Sequence, residues 1–199
     1  MAVEAGIEMS TCRLHEEGGR SHFMTRRFDR KTDGSKLHMQ SLGAMAHYDY
    51  RQPASYSYEQ AVNMIKRLEL PRRDVEQQVL RAFFNAVGRN RDDHVKNIAF
   101  LMNRRGEWRL SPAFDISYAW NPAGEWTSRH QMSINGKRDA FRRDDFLALA
   151  SSAGIKKARG NDMLDRVIAA VRRWPLFAEK AGVPEQRVEE IKQNQHIDV

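Results

Sequence analysis

The chain has 199 residues, 41% hydrophobic and 30% charged, which is the size and balance of one globular domain, or of one core with a small appendage. Its single cysteine, Cys12, excludes an intrachain disulfide and fits a reducing compartment; the absence of any long apolar run argues against a membrane span, so the expectation is a soluble, cytoplasmic protein. A net charge of +7 favours an anionic partner, but charge alone does not separate an anion-binding surface from a solvated basic one.

In chain order, MAVEAGIEMS reads as the end of a helix that stops at Gly6, followed by an extended segment. An independent helix needs roughly 12 to 15 residues, so this reads as a helix whose earlier turns precede residue 1. HFMTRRF, residues 22–28, alternates as a strand does, and Gly18-Gly19 before it suits a hairpin turn. Asp29 to Gly34 reads as a turn, and residues 35–57, without periodicity, as loop. Ser57-Tyr58-Glu59-Gln60 has the form of a capping box and opens a helix to about Leu68, with Ala61, Ile65 and Leu68 along one side. Pro71 breaks it. A second helix is expected from Asp74 to Val87, on the spacing of Val75, Val79, Leu80, Phe83 and Val87, and Gly88 ends it. Ile98 to Met102 reads as a buried strand, Asn103 to Gly106 as a hairpin turn, and Glu107 to Leu110 as the return strand. Residues 118–140 form a long loop. Helices are expected at Asp144 to Ala150, at Asp162 to Trp174, and from Pro184 through Gln193. The fold class is therefore α+β, predominantly α-helical, with one short β-hairpin.

Chemistry concentrates at the open end of that hairpin. Asp92, Asp93, His94, Lys96 and Asn97 crowd the loop leading into its first strand. With the turn centred near Arg104 and Arg105, Asn97 falls roughly opposite Pro112, and Asp115 lies just past the same end. Asn and Asp oxygens suit Mg²⁺, which takes few protein ligands together with phosphates. A separate carboxylate nearby could accept a hydroxyl proton. Together these groups make half of a phosphoryl-transfer site. Taken singly, the same residues also suit a surface ion-pair cluster on an acidic loop. Zinc fits less well, because Cys12 is remote and no second His stands at ligand spacing. The basic stretches at 156–159 and 166–173 read as a solvated face.

The pattern D-x-H-x-K-N, a hairpin, then R-L-x-P-x-[FY]-D resembles that of HipA-like protein kinases, the toxins of bacterial toxin–antitoxin pairs. Here it stands as Asp92-Asp93-His94-Val95-Lys96-Asn97 and Arg109-Leu110-Ser111-Pro112-Ala113-Phe114-Asp115. Arg26-Arg27-Phe28-Asp29-Arg30 resembles the segment after the family's interlobe hinge, and Trp126-Thr127-Ser128 and Ser133-Ile134-Asn135-Gly136-Lys137 are similar to stretches of its carboxyl-terminal domain. The resemblance implies the carboxyl-terminal lobe of a HipA or protein-kinase-like fold, with the hairpin carrying the metal-site residues. It implies Asp92 as the catalytic base for a protein Ser or Thr hydroxyl, and Asn97 and Asp115 as Mg²⁺ ligands. His94, Val95 and Lys96 would lie along the phosphates of ATP, Phe114 near the base, and Arg26, Arg27 and Phe28 at the adenine-binding hinge; Arg26 stands where some members carry an acidic residue. The implied partners are a HipB-like helix-turn-helix antitoxin and, through it, operator DNA, in a system linked to persistence.

No lysine and no Gly-rich phosphate loop occur in residues 1–28. Residues 1–30 are therefore expected to be a remnant of the amino-terminal lobe and hinge, and residues 31–199 the helical lobe. The expected activity is ATP- and Mg²⁺-dependent Ser/Thr phosphorylation, weak or absent in a truncated chain alone and restored by a separately encoded amino-terminal lobe. The alternative is a non-catalytic antitoxin- or DNA-binding module.

Overall fold

Gly18 and Gly19 sit at φ of 57° and 74°, a conformation glycine reaches without a Cβ penalty, and they close the first hairpin. A computed structural model describes residues 1–199. In it β1 (Cys12–Glu17) pairs antiparallel with β2 (Arg20–Thr25), from Cys12↔Thr25 to Glu17↔Arg20. β2 ends at Thr25, so Arg26 to Phe28 leave the strand that the alternation carried to 28. The helix read at residues 1–5 is a turn, in which the Ala5 N–H donates to Met1 O and Gly6 takes φ 88°. Ala5 and Ile7 are buried in the main core, so the chain start packs with the helices that follow.

The first half of the region expected as loop contains two elements, β3 (His38–Ser41) and α1 (Leu42–Ala46), the latter capped by Ser41 Oγ accepting from the Ala44 N–H. Neither has a local pattern of its own. β3 is a strand because another strand offers it an edge. β4 (Tyr56–Ser57) precedes α2 (Tyr58–Arg67), whose capping box is present: Ser57 Oγ accepts from the Gln60 N–H and Gln60 Oε1 from the Ser57 N–H. α3 (Arg72–Val87) is buried on nearly every side, the mark of a central helix. A 3-10 turn at Val95–Asn97 then leads to β5 (Ala99–Met102) and β6 (Trp108–Leu110).

The hairpin forms as expected, with Phe100↔Leu110, Leu101↔Arg109 and Met102↔Trp108 in register, and β3 adds to the far edge of β5 to give the order β3-β5-β6. Inside the long loop, β7 (Met132–Ser133) pairs parallel with β4. Two-residue strands carry no readable alternation. α4 (Arg143–Ser152), α5 (Lys157–Arg172), α6 (Trp174–Lys180) and α7 (Glu185–Asn194) complete the chain. α5 starts five residues before the expected point, and α6 is a separate helix. Pro175 lies in the first turn of α6, where its missing N–H is harmless, whereas inside a continuous helix it would break the ladder. α2, α4 and α5 pack around α3. No helix is long and apolar enough to cross a membrane.

Candidate functional site

The β5–β6 ladder brings the polar loop and the Phe114-Asp115 segment to one end of the hairpin. Continuing the register from Phe100↔Leu110 sets Asn97 level with Ala113, one residue beyond the expected Pro112, because the turn centres on Arg105. Asn97 and Asp115 line one small pocket, together with His94, Ile98, Phe114 and, from α3, Gln78 and Arg81. The Asn97 Nδ2 donates to the Asp92 main-chain O at 2.9 Å, which leaves the Asn97 Oδ1 as the free end of the amide. Asp115 has φ 55°. Left-handed backbone is tolerated by Asp but costs energy that only the surrounding fold repays; here the Asn90 Nδ2 holds the Asp115 carbonyl at 3.1 Å.

Asp92 and Asp93 have opposite fates. The Asp92 carboxylate is half-exposed, with Oδ1 at 3.7 Å from His94 Nε2. The Asp93 carboxylate is fully buried: it accepts from the Tyr58 hydroxyl at 2.8 Å, from His130 Nδ1 at 2.9 Å and from the Gln131 N–H at 2.8 Å. Burial first, and then the Asp93 charge, push the Tyr58 hydroxyl well above its usual range, so it stays a donor. The Tyr58 oxygen in turn accepts from Asn85 Nδ2, and Asn85 Oδ1 accepts from Asn90 Nδ2. A continuous polar relay thus runs from His130 through Asp93, Tyr58, Asn85 and Asn90 to the Asp115 main chain. Nearby, Asp139 bridges Arg89 at 2.9 Å and Arg91 at 2.6 Å, tying the 118–140 loop to the polar loop. Burial raises the Asp139 carboxyl, but the Ala140 N–H and the two arginines outweigh it and hold it below the usual carboxylate value.

The remaining expected residues divide. Phe28 meets Phe114 at 5.6 Å between ring centroids, so the end of the 26–28 segment reaches the site. The Arg26 and Arg27 side chains are exposed; Arg27 pairs with Asp29, and Arg26 lines a separate shallow cleft with Cys12 and Met24. The Val95 side chain is buried against Gly43, which leaves only its main chain to meet a ligand. Lys96 Nζ sits 3.3 Å over the Tyr50 ring, a cation–π contact.

A family model for the HipA-like C-terminal domain matches residues 1–175. The chain belongs to this HipA-like family. Its fold is similar to that of a chain in the Shewanella oneidensis toxin–antitoxin complex of HipA, HipB and operator DNA, at 17% sequence identity and a TM-score of 0.77. The similarity covers 96% of this chain and 51% of that one, so the chain spans about half the length of that relative. No curated protein matches it.

Within this HipA-like domain, sequence reasoning missed Gln78 and Arg81. Both are buried on α3 and line the pocket; Gln78 Nε2 and Oε1 and Arg81 Nε have no protein partner, and neither does His94 Nδ1. Arg81 gives one hydrogen bond to the Ser111 carbonyl at 2.8 Å, and burial pulls its pKa down to about 10. The available signal was two long polar side chains, Gln78 and Arg81, set among the apolar positions Val75, Val79, Leu80, Ala82 and Phe83 of α3. No group of three or more His, Cys, Asp or Glu is arranged to hold a metal ion.

Proposed function

We propose that this chain carries the base and metal-ligand half of a HipA-like Ser/Thr protein kinase site. The observation behind the reading is that Asn97 and Asp115 line one pocket, with Phe114 held against Phe28 at its edge. The donor set fits the implied group: one amide oxygen and one carboxylate are hard ligands, too few for a protein-only cage but suited to Mg²⁺ that also takes phosphate oxygens. When bound, ATP supplies the phosphoryl group and Mg²⁺ neutralises its charge. The half-exposed Asp92 carboxylate is free to accept the proton of an incoming Ser or Thr hydroxyl. His94 and Lys96 offer N–H donors to the phosphates, Lys96 after leaving the Tyr50 ring. Phe114 and Phe28 offer an apolar contact to the base.

Transfer by this chain alone is expected to be weak or absent, because main-chain amides over the phosphates and a lysine against them supply much of the transition-state stabilisation. An amino-terminal lobe supplied in trans should restore it. For binding, ATP with Mg²⁺ near a hundredfold excess over Kd should raise Tm by about 5–10 °C, and Asp115→Ala should abolish the shift. No shift at millimolar ATP and Mg²⁺ would sink the nucleotide reading.

A HipB-like helix-turn-helix antitoxin with its operator DNA is the proposed partner, supported by the family and by the complex in which the similar chain occurs. Co-purification with the antitoxin should survive Asp92→Ala. Loss of the partner in that variant would argue that the contact is a substrate contact instead.

A further inference from the structure

At the other end of α3 lies a second polar feature. Arg72 and Arg73 open the helix, and Arg159 and Arg166 approach from α5, so that four guanidinium groups border one open cleft. Its floor is Leu80 and Met163, both almost fully buried. Along α3, Arg73 is separated from Asn85 by about 18 Å, so this cleft is distinct from the pocket at Asn97 and Asp115.

The charges do not balance internally. Glu76 pairs with Arg72 at 3.3 Å and with Arg159 at 2.9 Å, and Glu8 pairs with Arg73. Two carboxylates face four guanidinium groups, leaving two positive charges in surplus. The Arg166 guanidinium lies against Gly6, its Cζ 3.1 Å from where a Cβ on that residue would sit, and has no acidic partner. Arg72 and Arg73 also occupy the helix end at which the backbone dipole disfavours cations. Pro71, the N-cap, offers no capping side chain, and the one carboxylate in the first turn, Asp74, is engaged by the Leu110 N–H. Local rules broken together at one place mark a site that something else completes.

We infer that this cleft binds a dianionic phosphate group, carried on a phosphorylated side chain or free as inorganic phosphate. Planar guanidinium forks match the geometry of phosphate oxygens, and several can share one tetrahedral group. A charge of minus two matches the surplus. A phosphodiester brings one charge per phosphate and would lay its neighbours along Glu8 and Glu76, which repel it. The cleft also lacks an exposed aromatic on which a nucleic-acid base could stack. The basic residues of α5 at 159 and 166 are on this reading a binding surface, where sequence alone suggested a solvated face.

The test uses the full chain without Mg²⁺ and a fluorescent phosphoserine peptide beside its unphosphorylated twin. The phosphopeptide should bind and the twin should not. Binding should strengthen as pH rises through about 6, where the phosphoserine becomes dianionic. Arg159→Ala with Arg166→Ala should weaken binding by roughly tenfold or more, and Glu76→Gln should tighten it. Arg104→Ala with Arg105→Ala, at the exposed hairpin tip, removes the same charge and should change little. Inorganic phosphate competing as well as the peptide assigns the free ion; competition only at far higher concentration assigns the phosphorylated side chain. Equal binding of both peptides, equal loss in the hairpin-tip control, or capture of duplex DNA with neither phosphate ligand bound would overturn the inference.

Discussion

Asp93→Ala should lower folding stability by about 3–5 kcal/mol, the usual cost of breaking a buried charged network. The Asp93 carboxylate is fully buried and accepts three hydrogen bonds, from Tyr58, His130 and the Gln131 N–H. Removing it strands the Tyr58 hydroxyl and His130 Nδ1 in the core, and each such group then bears its desolvation cost without return. The network also joins α2 to the loop that carries β7, so the loss reaches beyond one side chain. Urea denaturation followed by circular dichroism should show a midpoint well below that of the wild type. Asp92→Ala, one residue away, should stay within about 0.5 kcal/mol, as exposed substitutions do. Equal effects of the two substitutions would contradict the assignment of one to structure and the other to chemistry.

Phe146→Ala should cost a similar amount, about 3–5 kcal/mol. Phe146 is fully buried, meets Phe83 edge-to-face at 5.2 Å, and has Phe141 on its other side at 5.8 Å. It therefore links α3, α4 and the end of the long loop in one aromatic contact. Truncation removes the transfer energy of the ring and leaves a cavity between rigid helices that cannot close fully. Phe146→Leu should recover much of the loss. A thermal unfolding midpoint unchanged in Phe146→Ala would mean that α4 does not contribute to the cooperative core.

Legibility differed by element, for reasons that can be named. The α2 capping box, the α3 apolar spacing and the β5–β6 turn each lie within a few residues, and each forms as the local pattern implies. β3, β4 and β7 exist because a partner strand lies beside them in space, and their own sequences show no alternation. The break between α5 and α6 was signalled by Pro175, which suits the first turn of a helix better than the interior.

The candidate site divides in the same way. That His94, Asn97 and Asp115 come to one end of the hairpin was legible, because the turn sets their relative positions; the roles proposed for them, and for Asp92 and Phe114, come from the family pattern. Which of two adjacent aspartates is buried was not legible. That depends on Tyr58 and His130, 35 and 37 residues away in sequence, and only packing brings them together. Gln78 and Arg81 reach the pocket, and Arg159 reaches Glu76 across 83 positions, for the same reason. The sequence by itself determined the local elements, the family pattern and the hairpin that gathers the proposed chemistry. The tertiary structure alone decided which carboxylate is structural, which short segments become strands, and where four arginines meet. Hydrogen bonds and charge contacts between distant residues leave no periodic trace in the chain, so only the folded arrangement reveals them.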